Sequence, residues 1–249
     1  MNIYEESYWI DYLKQFDISS SYFQNIPSNT NKYCVIIEPR KIDSLVLVIK
    51  NFMYLLQNKG WGLIIFHGTD NEEFIKSKLE NIPNIIYMNM GVSNLKVHEY
   101  NTLLLSSQFW KQLLEKGCEY CLIFQTDVVL FKDNVDDFIQ YDYIGAPWFE
   151  KYHEILESGN GGFSLRNVRK MLQIVENHQV VGHWHEDCFF SYWCMKDNMN
   201  FPSKETAQKF SVETVFYEDP CGLHKPILKC FPEKNKQLIQ LFNKRFSIV

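Results

Sequence analysis

Four short stretches hold the residues whose types and spacing can do chemistry. In EYCLIFQTDVVLF (119–131) an apolar run meets Gln125, Thr126 and Asp127, then turns apolar again. An apolar run of this length ending in a polar cluster predicts a buried strand that delivers those side chains to its carboxyl edge. Open α/β sheets bind ligands at that edge. A carboxylate there suits a divalent cation, and such a cation can hold a diphosphate. In HWHEDCFF (183–190), His183, His185, Glu186 and Asp187 stand at the start of a predicted helix. Acidic residues in a first turn also suit the helix dipole, but Trp184, Phe189 and Phe190 argue against open surface. A carboxylate so placed can act as a general base on an acceptor hydroxyl, the role expected of Asp187. The histidines lack the H-E-x-x-H spacing of zinc proteases. In DPCGLHKP (219–226), His224 stands beside Lys225 in a loop bounded by Gly and Pro. An imidazole can ligate a metal such as manganese, and an adjacent ammonium can neutralise a phosphate. Asp219 is a competing ligand. GNGG (159–162) lets the backbone approach a ligand closely. It lacks both the G-x-G-x-x-G register and the Lys-Ser/Thr ending of a phosphate loop, so a tight turn is the plainer expectation.

The elements that must position these residues follow from the apolar pattern. Residues 5–16 predict a short helix with Tyr8, Trp9, Tyr12, Leu13 and Phe16 along one side, and 17–31 a Ser/Asn-rich linker. Residues 32–40 (KYCVIIEPR) predict a first buried strand stopped by Pro39. A helix over 42–59 ends at Gly60. Strands follow at 61–68 and 84–90 around a helix at 71–79. A long helix over 97–116, closed by Gly117, leads to the Asp127 strand. This alternation implies a mostly parallel sheet with helices on both faces. Beyond Phe131 the rhythm breaks. A short strand is expected at 141–148, then the glycine loop entering a strand and a helix at 167–177. A further helix follows 182–193, then a strand end, a short helix and a strand over 201–216, the 219–226 loop, and a closing helix at 233–246.

The bulk composition narrows the class. The chain has 249 residues with 46% hydrophobic and 16% aromatic content, enough for a substantial core. Its net charge of −5 argues against a general nucleic-acid binder. Seven Cys, an odd number, form no framework, and the lone Cys118-x-x-Cys121 lacks a second pair at zinc spacing. Reduced thiols in a cytosolic protein are the expectation. The N-terminus has no signal-peptide core, and no apolar run approaches membrane-spanning length. A cytoplasmic or otherwise soluble protein is expected.

Taken in order, the strand ending in Asp127, GNGGFSLRN, HEDCFFS and PCGLHKP resemble a glycosyltransferase-like domain family of the GT-A superfamily, long uncharacterised in function. The resemblance covers about 32–226. It implies a single α/β domain of GT-A-like (Rossmann-like) type over 32–249, preceded by the helix and linker of 1–31. Residues 32–131 form its nucleotide-binding half and 132–249 its acceptor-binding half. It implies a transferase moving sugar from a nucleotide-diphosphate donor, UDP-sugar foremost, to a hydroxyl of a glycan or protein-linked sugar. Mn2+ or Mg2+ grips the diphosphate. In the superfamily the metal comes through Asp-x-Asp; here Gln125 replaces the first Asp. Asp127 and His224 then map to the metal, and Lys225 to the diphosphate. Gln125 and Thr126 map to the ribose or donor sugar, Glu38 and Arg40 to the nucleotide base, Gly161 and Gly162 to the donor pocket. Glu186 and Asp187 map near acceptor and donor sugar, an arrangement that favours inversion. Two alternatives stand beside this reading. A nucleotidyltransferase of similar fold would normally carry a glycine-rich loop after the first strand, where this chain has EPRKIDS. A non-catalytic sugar- or nucleotide-binding protein is compatible with Gln125.

Overall fold

The computed structural model describes residues 7–17, 23–152, 156–180, 182, 184–226 and 232–246. His183 and part of the 17–31 stretch lie outside the described residues. In chain order the elements are α1 (Ser7–Lys14), β1 (Lys32–Glu38), α2 (Asp43–Leu56), β2 (Trp61–His67), α3 (Glu72–Lys78), β3 (Ile85–Asn89), α4 (Val97–Leu104), α5 (Ser107–Glu115) and β4 (Tyr120–Phe124). Then come β5 (Val128–Leu130), β6 (Tyr143–Tyr152), β7 (Leu156–Asn167), α6 (Val168–Asn177), α7 (Glu186–Lys196), α8 (Lys204–Phe210), β8 (Ser211–Val212), β9 (Gly222–His224) and α9 (Pro232–Phe246).

Six strands form the main sheet in the order β3-β2-β1-β4-β7-β6. β3, β2, β1 and β4 pair in parallel, whereas β4–β7 and β7–β6 are antiparallel. The sheet is therefore mixed and partly parallel: β6 runs with β1–β4, and β7 alone runs against them. A parallel pair needs a crossover, but only 153–155 separate β6 from β7, so these two can pair only as an antiparallel hairpin. A second, small sheet has the order β5-β9-β8.

Alternating strand residues feed two cores. Cys34, Ile36, Leu63, Ile65, Leu122 and Phe124 face α2 and the small sheet, together with Trp9, Tyr12, Leu13 and Phe16 from the N-terminal segment. Tyr33, Val35, Ile37, Ile64, Phe66, Cys121 and Ile123 face α5, α6 and α7. This period-two split is what a sheet covered on both faces requires. No described helix is long and apolar enough to cross a membrane.

Three local expectations change. The predicted helix over 97–116 breaks into α4 and α5 at Ser106, whose hydroxyl accepts from the Gln108 N–H and caps the second helix. GNGG is no turn but the middle of β7, and the expected 219–226 loop contains β9. The strand expected within 211–216 shrinks to the two residues of β8.

Candidate functional site

The chain runs outward from β1 to β2 and β3, then returns to place β4 on the other side of β1. This reversal is a topological switch point, where a crevice opens beyond the carboxyl ends of the strands. A cavity of about 340 Å³ lies there, lined by Ile37, Glu38, Pro39 and Arg40 from the end of β1 and by Gln125, Thr126 and Asp127 after β4. Leu95, Val97 and Tyr100, at the start of α4, form its remaining wall. The buried Glu38 carboxylate accepts from the Arg40 backbone N–H at 2.9 Å and from its guanidinium at 2.8 and 2.7 Å. That pairing holds the Arg40 guanidinium above its ordinary pKa. Half of the Arg40 side chain remains exposed at the rim.

Register brings the two expected metal ligands together. β5 pairs antiparallel with β9, with Val128 opposite His224. Asp127 therefore abuts His224, and its carbonyl accepts from the Lys225 N–H at 2.9 Å. Asp127 Oδ1 lies 3.5 Å from His224 Nε2. The tautomer of His224 follows from its other neighbours. The Gly162 N–H donates to Asn160 Oδ1 at 3.1 Å, which fixes the amide orientation. The same oxygen lies 2.8 Å from His224 Nδ1, and Glu213 Oε1 is 3.4 Å from it. Nδ1 faces two acceptors and so carries the proton; in the neutral ring Nε2 then presents a lone pair. His224 is buried, and Nε2 has no hydrogen-bond partner. A lone pair facing a carboxylate calls for a positive charge between them, either a proton or a metal ion. Burial pushes the Asp127 carboxyl up, but His224 and Lys225 outweigh it and hold the group below the usual carboxylate range. Among the described residues no three His, Cys, Asp or Glu side chains gather as a metal cluster. An ion here would take two protein ligands and complete its shell from a bound ligand or water.

Lys225, at φ +51°, turns its ammonium onto the buried Glu213 at 2.7 Å. Burial works against its charge, but Glu213 and, farther off, Asp127 and Asp187 hold its pKa up.

The glycines of β7 make room for side chains. A Cβ on Gly162 would overlap the His224 ring, and one on Gly161 would overlap the Glu186 carboxylate. Consecutive strand residues point to opposite faces, so His224 packs on one side of β7 and α7 begins on the other. Glu186 is not open to the cleft. It forms a two-point ion pair with Arg166 at 2.6 and 3.0 Å, and both are buried. Tyr143 and Phe190 flank the guanidinium, their ring centroids 4.7 and 5.4 Å away. Burial pushes the Glu186 carboxyl up against the opposing pull of Arg166. Asp187, the next residue, is half-buried and accepts from the Gly161 N–H at 3.2 Å and the Cys188 N–H at 2.8 Å.

Sequence reasoning thus reached Glu38, Arg40, Gln125, Thr126 and Asp127, which line one cavity, and His224 and Lys225, which adjoin it. It set Glu186 beside a substrate, where the structure pairs it with Arg166. It passed over Asn160, Arg166, Glu213 and Tyr100. Asn160 sat inside the glycine motif, where only its neighbours drew attention. Arg166 and Glu213 carry no local signal, because their partners lie far along the chain. Asp219 is occupied by Lys132 at 2.7 Å rather than at the His224 site.

The model of a family described as a protein of unknown function, DUF5672, matches residues 85–224. The match runs from β3 to His224, taking in Gln125–Asp127, the β7 glycines and the start of α7, but not Glu38 and Arg40. No curated protein matches the chain.

Proposed function

The chain belongs to the DUF5672 family, and we propose that it is a GT-A-type glycosyltransferase that moves a sugar from a nucleotide-diphosphate donor to a hydroxyl acceptor. One observation carries the reading: the His224 Nε2 lone pair faces the Asp127 carboxylate beside a cavity at the sheet's switch point. The donor set of one carboxylate and one neutral imidazole fits Mn2+ and, less closely, Mg2+. Asp127 and His224 would hold the ion. When bound, it supplies Lewis-acid stabilisation to diphosphate oxygens.

The chain's own groups do the rest. Glu38 fixes Arg40 against the nucleotide, with Gln125 and Thr126 lining the same cavity. Lys225 supplies positive charge where the leaving diphosphate gathers negative charge. Asn160 and Glu213 hold the imidazole in its ligating tautomer. Asp187 is the group that takes the acceptor proton, which makes inversion the expected outcome. Glu186 is assigned a positioning role: its pairing with Arg166 anchors the first turn of α7, and with it Asp187.

Incubation with a panel of UDP- and GDP-sugars plus Mn2+, followed by assay of nucleoside diphosphate, tests the reading. Release from one donor is expected, with stimulation by a hydroxyl acceptor. Asp127→Ala should lower that release by about a hundredfold or more, since a bound metal ion contributes several kcal/mol of charge stabilisation. Wild-type turnover in this variant would remove Asp127 from the site. Pyrophosphate release from a nucleoside triphosphate would point instead to nucleotidyl transfer.

A further inference from the structure

Tyr100 lies on α4, and it forms part of the wall of the cavity between β1 and β4. Its hydroxyl is out of contact with solvent and makes no hydrogen bond. The Gln125 side chain is a polar neighbour on the cavity wall and favours its ionised form, and Arg166, Glu186 and Asp187 are near enough to act on it electrostatically. Burial raises its pKa well above the ordinary phenol value, so the group keeps its proton and can both donate and accept.

A phenol oxygen buried without a partner is unfavourable, and Phe would fill nearly the same space without that penalty. The missing partner is therefore best supplied by a bound molecule. The surroundings say which part of it. Glu38 and Arg40 line the cavity from the end of β1, and Asp127, which abuts His224 and Lys225, lines it after β4. Tyr100 shares the cavity wall with Gln125 and has the Glu186–Asp187 turn within electrostatic reach. On the sugar-transfer reading its neighbours serve both the donor and the acceptor. The helix that carries Tyr100 can adjust to a ligand, because Leu104 alone of its residues is fully buried. The next residue, Asn101, accepts from the Glu186 N–H at 3.2 Å and ties α4 to the start of α7.

We infer that the Tyr100 hydroxyl is a donor-specificity contact, which hydrogen-bonds a hydroxyl of the transferred sugar rather than the nucleotide. The inference rests on the sugar-transfer reading above and adds a residue that recognises the sugar.

The test compares wild type with Tyr100→Phe by calorimetric titration with UDP plus Mn2+, GDP plus Mn2+, and the panel of UDP- and GDP-hexoses, alongside thermal unfolding of the ligand-free protein. Affinity for the free diphosphate should be unchanged. Affinity for the preferred sugar nucleotide should fall roughly tenfold, the scale of one hydrogen bond. The unfolding temperature should stay level or rise. Equal weakening of both ligands, or of neither, overturns the inference while leaving the transferase reading intact. A lower unfolding temperature with unchanged sugar-nucleotide affinity overturns it too, since the hydroxyl would then serve a structural water. A wild-type protein that binds no diphosphate and no sugar nucleotide removes the transferase reading and this inference together.

Discussion

At the scale of single residues, Gly162 shows how a motif can be noticed and still misread. Read along the chain, Gly-Asn-Gly-Gly signals a turn, because glycine relaxes backbone limits. In the fold its purpose is lateral: the His224 ring lies against the bare Gly162 backbone, and Asn160 grips the ring's Nδ1. Gly162→Ala sets a methyl group into the imidazole, which is buried and has no free direction in which to move. Overpacking of this kind costs about 1–3 kcal/mol. The variant should unfold at lower urea and, on the proposed sugar-transfer reading, lose Mn2+-dependent UDP binding beyond what the stability loss explains, as judged by titration below the unfolding transition. Unchanged metal-dependent binding would mean that the position of the His224 ring does not matter. Asp127 was legible in the sequence because a buried strand announces its own end. His224 was legible only as a residue type in a short motif, and Glu213, which braces it, was not legible at all. Side-chain partnerships across the fold leave no trace in local pattern.

Among the elements, β1, β2 and β4 were readable because each is an apolar run with clear stops. β6 was read as a short strand over 141–148, whereas the glycine stretch within β7 and the strand β9 were read as loops, since glycine, proline and polar residues interrupt their alternation. The break between α4 and α5 was hidden for a similar reason: Ser106 reads as a tolerable helix residue unless its hydroxyl is known to cap Gln108. The element with most consequence for the site is α7. Its first residue, Glu186, is 5% exposed at the side chain and Arg166 is 0% exposed, so their charges meet away from water. Removing one partner of a buried pair leaves the other charge uncompensated and costs about 3–5 kcal/mol. Glu186→Leu should therefore destabilise the protein by about that much in urea unfolding. The double variant Arg166→Met/Glu186→Leu should recover most of the loss, because both charges go together. If the single variant were as stable as wild type, the pair would not be what fixes the start of α7.

Over the whole molecule, α1 and α9 meet in the core that also holds α2 and β5. In the helix that the sequence places ahead of the linker, Tyr12 is buried in the same core as α2, and Phe16 just beyond α1 joins it. The Tyr12 hydroxyl donates to the Leu130 carbonyl of β5 at 3.3 Å. Asn51 of α2 closes on the same residue, accepting from its N–H at 2.8 Å and donating to its carbonyl at 3.0 Å. Phe131, the next residue, stacks on Phe242 of α9 with ring centroids 4.4 Å apart. β5 is thus held by α1, α2 and α9, and its pairing with β9 sets the approach of Asp127 to His224. The support combines hydrogen bonds with apolar packing across long stretches of chain, so it acts through stability rather than through chemistry. Phe16→Ala deletes a fully buried ring that lies 5.3 Å from Tyr54 and 5.4 Å from Tyr12. Emptying such a site costs about 3–5 kcal/mol, which for a chain of this size lowers the unfolding temperature by roughly 10 °C. The transition should remain single, because α1 shares its core with the sheet. An unchanged unfolding temperature, or a separate early transition for the N-terminal helix, would show instead that α1 is an appendage and that β5 is held without it.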